Sequence, residues 1–308
     1  MGKEAQSRAH QGGVGSICFE VRWPGPLDVS RSLDIFRYWG DDRLDRWDSR
    51  VLLRTTRIGV DTVPYACIVC GTVDAPAVEV LVENHRHRAA VEQVVRSMFV
   101  TAPESLQLLS QTDATVARLA QRYRGVRPVL QADLFTALIR SISAQQVNLK
   151  WAVTTRQRLA EAFGRRHTVG AYEVYSLHAD DLAPLDPAAL RALQFTTRKA
   201  EYIVALARAV AGRLLDLEAL RLCSDAEVIA RLTALRGIGR WTAEWFLARA
   251  LGRPCVAAGD LGVRKAIAAV YLHGRLPSES EVRELTAHWG PAAGVVQQLI
   301  LHALRDAM

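Results

Sequence analysis

The chain has 308 residues with 39 Lys and Arg against 32 Asp and Glu, a formal charge of +7; half of its residues are hydrophobic and 23% are charged. That length suits two or three domains with full cores, and the composition is that of a globular rather than a disordered chain. No apolar run reaches the roughly 18 residues of a membrane span and no signal-peptide core opens the chain, so a cytosolic protein without a membrane partner is expected.

Residues 1–16 are polar and contain glycine, which reads as a disordered tail. Residues 17–23 alternate apolar and polar, 51–58 are β-branched, and 65–73 and 77–82 follow as further strands. Helices fit residues 30–38 and 89–99. The expectation for residues 17–102 is an α+β unit built on an antiparallel sheet. His85 and His87 read as a solvated strand end. Cys18, Cys67, Cys70, Cys223 and Cys255 are too few and too dispersed for a disulfide framework. Cys67 and Cys70 have a zinc-like spacing but no second pair, and an offset of three on a strand points them to opposite faces, so no metal site is expected.

After Pro103 the pattern is helical, and an all-α domain over 103–308 is expected. Leu134, Phe135, Leu138, Ile139 and Ile142 share one helical face; Trp151, Leu159 and Phe163 mark the next helix, which stops at Gly164. Ala200, Ile203, Val204, Ala207 and Val210 mark another. Ser224 and Glu227 form a capping box before Val228, Ile229, Leu232 and Leu235. The charge is unevenly placed in this half. Residues 113–166 carry net +7 and residues 236–275 net +5, leaving −5 elsewhere. Segregated positive charge of this kind suggests a polyanion-binding face.

The capped helix runs into Leu235-Arg236-Gly237-Ile238-Gly239-Arg240-Trp241-Thr242. Two glycines at a spacing of two make a tight turn, and a second helix begins at once. Glycine permits left-handed backbone and close approach, and the free amides at the next helix's start suit an anion. A helical hairpin over 225–251 that grips a phosphate is one reading; a plain turn between helices is the other. Trp241 and Trp245 then share one helical face. Further on, Asp260 stands in a glycine-flanked turn before an apolar helix. A carboxylate there can stabilise the oxocarbenium charge of a breaking glycosidic bond and orient water, or it can simply cap the helix.

Together these features resemble the helix-hairpin-helix Gly/Pro-Asp superfamily of DNA glycosylases, and the Gly-Ile-Gly-Arg-Trp-Thr-Ala form resembles bacterial 3-methyladenine DNA glycosylase II. The Ile142-Ser143-Ala144-Gln145-Gln146-Val147 and Arg198–Ile203 segments match in order and spacing. The leading unit is similar to the family's TBP-like domain. The resemblance implies a base-excision enzyme that acts on double-stranded DNA and removes alkylated purines. In this chain it assigns Asp260 to catalysis, and Trp241, Trp245 and Leu261 to the flipped base. DNA contact falls to Gln145, Gln146, Gly237, Gly239, Arg240 and Thr242, with Gln146 at the wedge position where well-known members have leucine.

Bifunctional relatives place a lysine where this chain has Trp241, which implies hydrolysis by water without lyase activity. No cysteine follows Cys255, so the four-cysteine iron–sulfur cluster of some relatives is not expected. In family members the hairpin carbonyls can hold a structural monovalent cation. A monomer in the cytoplasm, associated with the bacterial nucleoid, is the implied state. Two pocket positions depart from the family: Leu261 replaces an aromatic residue, and Ala292 follows Pro291 where relatives have tryptophan. Trp289 reads as core. The lesion is therefore left open, and a non-catalytic DNA-binding protein remains the alternative of a different class.

Overall fold

The computed structural model describes residues 16–307; the expected tail lies outside them except for Ser16. Five strands, β1 (Ile17–Arg22), β2 (Arg46–Trp47), β3 (Val51–Ile58), β4 (Asp61–Val69) and β5 (Ala77–Val82), form one antiparallel sheet in the order β1-β5-β4-β3-β2. The expected helix at 30–38 is shorter and divided. Asp28 caps α1 (Val29–Leu33), and a 3-10 turn over Asp34–Phe36 follows. The second helix, α2, spans Arg88–Arg96, and His85–His87 form a 3-10 turn leading into it rather than a strand end. One sheet face packs Phe19, Val21, Leu52, Val63, Tyr65, Val78, Val80 and Val82 against Leu33, Phe36, Val91 and Val95 of these helices.

In the helical half α3 (Pro103–Thr112), α4 (Ala114–Arg122), α5 (Leu134–Ala144) and α6 (Leu149–Phe163) lead to the expectation that fails. Two strands, β6 (Arg165–Val169) and β7 (Tyr172–Ser176), pair as an antiparallel hairpin. Their Val169 and Val174 cover Val51, Leu53, Ala66 and Ile68 on the sheet's second face. Both faces of β3 are therefore covered, and its burial does not alternate: Arg54, Thr55 and Thr56 are buried along with Val51, Leu52 and Leu53. The hairpin offers too few buried residues for a period-two signal. The signal that could have found it is Gly170, at a left-handed φ of 56°, opening a two-residue turn between alternating segments.

The remaining helices are α7 (Ala179–Leu182), α8 (Pro187–Ala192), α9 (Thr197–Ala211), α10 (Asp225–Thr233), α11 (Arg240–Arg249), α12 (Leu261–Tyr271), α13 (Glu279–Thr286) and α14 (Ala293–Asp306). They divide around two cores. One joins α5, α6, α9 and α10; the other joins α3, α4, α12 and α14. Helix α11 lies on the seam, giving Ala243, Phe246 and Leu247 to the first core and packing Trp245 against the second.

A buried ion cluster ties the sheet to the helices. Asp42 accepts from Arg140 at 2.5 Å and Arg156 at 2.9 Å, and Asp45 accepts from Arg140 at 2.8 Å and Arg54 at 2.6 Å. Burial alone would push the Asp42 carboxyl up, but the two guanidiniums hold it below the ordinary carboxylate range. Trp151, expected on the apolar face of α6, is instead partly open to solvent, at 39% exposure, with the Arg158 guanidinium 5.4 Å from its ring centre.

Candidate nucleic-acid interface and catalytic carboxylate

The capping box at Ser224 is present: Ser224 N donates to Glu227 at 2.7 Å, and Glu227 N donates back to Ser224 Oγ at 3.3 Å. The turn after α10 depends on Gly237. Its φ is +89°, and a Cβ there would fall onto the ring of Tyr202, so any other residue is both strained and blocked. Gly239 then caps α11 with no side-chain hydrogen bond, which leaves the first-turn amides free of a side-chain acceptor. Beside them is an open depression of about 500 Å³, lined by Gln145, Tyr202 and residues 233–239. Free amides at a helix start facing open space are an anion-binding arrangement.

A second turn meets this one. Gln145 follows α5 and donates its Nε2 to the Gly237 carbonyl at 2.9 Å, with the Thr242 hydroxyl at 3.4 Å. The next residue, Gln146, is exposed and held in left-handed backbone at φ 51°, an unfavourable conformation for a residue with a Cβ. Asn148 caps α6 by accepting from Trp151 N at 2.8 Å. Lys199, which the sequence motif did not single out as functional, anchors the turn from below. Its Nζ donates to the Ser143 carbonyl at 2.7 Å, and burial pulls its ammonium down to about 8. Its place in an apolar helical repeat was the available signal.

Asp260 caps α12 by accepting from Val263 N on Oδ1 at 2.9 Å. The capping reading of the sequence therefore holds alongside any other role. Its Oδ2 accepts two indole N–H donors, from Trp241 at 2.8 Å and Trp245 at 3.1 Å. Helical spacing of four places the two indoles on the same side of α11, and both are partly exposed. The Arg249 guanidinium stacks 5.2 Å from the Trp245 ring centre and donates to Gln298 Oε1, and burial pulls it down to about 10. Leu261 is 52% exposed at the start of α12. Ala292 is buried, and Trp289 is enclosed in the core 6.2 Å from the Tyr271 ring, so Trp289 supplies no pocket face.

Two sequence expectations change here. The Thr242 side chain is fully buried, so its hydroxyl faces Gln145 rather than a nucleic acid. Arg240 pairs with the buried Glu244 at 2.9 Å and Arg283 reaches the same carboxylate oxygen at 2.7 Å; one carboxylate shared by two guanidiniums leaves a positive charge, and the Arg240 side chain stays 61% exposed. The positive segments are also largely paired in space. Arg124, Arg140, Arg156, Arg165, Arg166, Arg236, Arg253 and Arg275 all meet acids. Of these, Arg140 and Arg156 are enclosed against Asp42, where an unpaired guanidinium would be costly, whereas Arg124, Arg165, Arg166, Arg236 and Arg275 make exposed surface pairs. Among the described residues Lys150 and Arg158 near the Gln146 turn, and Arg264 and Lys265 on α12, have no acid within 4.0 Å.

A family model described as HhH-GPD superfamily base excision DNA repair protein matches residues 139–292. A Bacillus subtilis DNA-3-methyladenine glycosylase is 30% identical over 184 residues, 59% of this chain and 60% of that protein. DNA-3-methyladenine glycosylase 1 of Schizosaccharomyces pombe is 30% identical over 188 residues, 60% of this chain and 77% of that protein. The structure of a 3-methyladenine DNA-glycosylase from Archaeoglobus fulgidus superimposes with a TM-score of 0.83 at 24% identity, covering 93% of this chain and 98% of that one.

Proposed function

Because the chain belongs to the HhH-GPD superfamily of base excision DNA repair proteins, we propose that it is a monofunctional DNA glycosylase that flips out alkylated purines of the 3-methyladenine and 7-methylguanine type and hydrolyses their N-glycosidic bonds. The observation that carries this reading is the Asp260 carboxylate, fixed by Val263 N and by two indoles on the helix that follows the glycine turn. A glycosidic bond is inaccessible inside a stacked duplex, so the target nucleotide is extruded. The first-turn amides of α11, with Gly237 and Gly239 in the turn, hold a phosphate of the damaged strand. Gln146 enters the gap left by the nucleotide, and Gln145 sets its position relative to the hairpin.

As the bond breaks, positive charge grows on the deoxyribose. Asp260 stabilises it and orients the attacking water. A cationic alkylpurine also gains about 0.5–2 kcal/mol against an indole face. Trp241 offers no amine, so no Schiff base forms and an abasic site is the product. The protein works as a monomer without a redox cofactor or iron–sulfur cluster, in the cytoplasm with the nucleoid. A monovalent cation at the hairpin is structural.

Leu261 and the buried Ala292 leave fewer aromatic faces than the family pattern, which favours a second reading in which a deaminated or oxidised base is the preferred lesion. Mass spectrometry of bases released from methylated genomic DNA and from oxidised and deaminated duplexes tests both. Release of methylated purines by the wild type, lost in Asp260→Asn, supports the proposal. Undiminished release by Asp260→Asn overturns the catalytic assignment, and no release by the wild type from methylated, oxidised or deaminated duplexes leaves a DNA-binding protein.

A further inference from the structure

We propose that Trp241 and Trp245 are positioning residues for Asp260, acting through their indole N–H edges, while the Trp241 ring and the Trp245 face not covered by Arg249 remain for the base. The proposal rests on the reading of Asp260 as the catalytic carboxylate. An ionised carboxylate offers about four lone-pair sites. Three are occupied: Oδ2 takes Trp241 Nε1 at 2.8 Å and Trp245 Nε1 at 3.1 Å, and Oδ1 takes Val263 N at 2.9 Å. The remaining site is on Oδ1, and that is the one left for water or the sugar. Bonds from N–H donors to an ionised oxygen are short and strong, and three of them fix both the tilt and the rotation of the carboxylate plane.

The two donors are themselves rigid. Both stand on α11, one turn apart, whereas Asp260 belongs to the turn that starts α12. Trp245 is backed by the Arg249 guanidinium, which Gln298 holds in place. A base stacked on either indole therefore also holds the N–H that meets Asp260. Recognition of the base and alignment of the carboxylate run through the same two side chains. A residue that only stacks has no such constraint on its edge, and phenylalanine would serve equally well.

Phenylalanine is thus the discriminating substitution. Single-turnover release of a lesion base that the wild type excises is measured for Trp241→Phe, Trp245→Phe and the double variant, with Trp245→His supplying a ring N–H in place of the indole's. The expected result is a rate constant about tenfold lower for each single variant, with half-saturation changing less than about threefold. Trp245→His recovers part of the rate. Phe variants that keep the rate and raise only the half-saturation concentration overturn the proposal, because the indoles then act by their faces alone. If Phe lowers the unfolding midpoint by more than about 10 °C, the His variant decides: a rate near the wild type's supports the proposal and an equal loss overturns it. A wild type that releases no base defeats the glycosylase reading itself, a different result from normal release by the Phe variants.

Discussion

Gln145 hands its carboxamide to the backbone of Gly237, 2.9 Å away across two turns that are 92 residues apart in the chain. The bond makes the spacing between the Gln146 turn and the glycine hairpin a fixed quantity. Gln145→Leu keeps the volume and removes the donor, leaving the half-buried carbonyl without its partner at a cost of about 1–3 kcal/mol. Binding to a lesion duplex is expected to weaken by about tenfold, since both contacts must engage the same DNA. Fluorescence anisotropy with wild type and variant checks it, and equal affinities would show that the two turns act separately.

Gln146 separates stability from function. Its left-handed backbone costs on the order of 1 kcal/mol for a residue with a Cβ. Gln146→Gly is expected to raise the denaturant midpoint slightly and to slow base release, because the side chain that fills the vacated stack is gone. Urea titration and single-turnover release on the same samples give both signs. A variant that is less stable contradicts the strain argument, and one that is fully active contradicts the wedge assignment.

His178 gives the fold an acid limit. Burial, with the neighbouring Arg165 and Arg57 charges, pulls its imidazole down to about 4. Arg57 Nη2 donates to Nδ1 at 2.7 Å, and Nε2 lies 2.8 Å from Ser176 Oγ, so the ring is held neutral between β3 and the β6–β7 hairpin. The unfolded chain takes up the proton at about 6.5 and the folded chain only near 4, so the unfolded state binds more protons between them. The stabilisation is complete above about pH 6.5 and declines by about 1–3 kcal/mol as pH falls toward 4. Thermal unfolding of wild type and His178→Gln over that range checks the sign; parallel curves would remove His178 as the cause.

Salt dependence should be modest for so arginine-rich a chain. With most guanidiniums paired with acids, Lys150, Arg158, Arg264 and Lys265, together with the exposed Arg240, leave about four or five cations for phosphates, giving a log–log slope of about −3.5 to −4.5. Titration of duplex affinity against salt measures it. A slope near −10 would mean that the internal ion pairs open on DNA.

The elements that carry chemistry were legible because their constraints are local. Gly237 and Gly239 announce a turn, Ser224 and Glu227 announce the helix before it, and Asp260 sits where a cap must. The pairing of charges was not legible. Arg140 and Arg156 read as surface charge because their partner, Asp42, lies about a hundred residues upstream, and sequence spacing holds no trace of that contact. The same limit applies to the Trp241 and Trp245 edges. Helical spacing predicts that the two rings share a side, but it does not say that both N–H groups meet one oxygen of a residue on another element. The β6–β7 hairpin escaped for the opposite reason, since its two buried valines are too few to make a pattern.

That hairpin has a consequence for synthesis on the ribosome. The strands of the sheet leave the exit tunnel first, with Val51, Leu53, Ala66 and Ile68 forming an uncovered oily surface until Val169 and Val174 emerge. For the time taken to translate the helices in between, the nascent chain exposes a sticky face that only its own later segment is shaped to close.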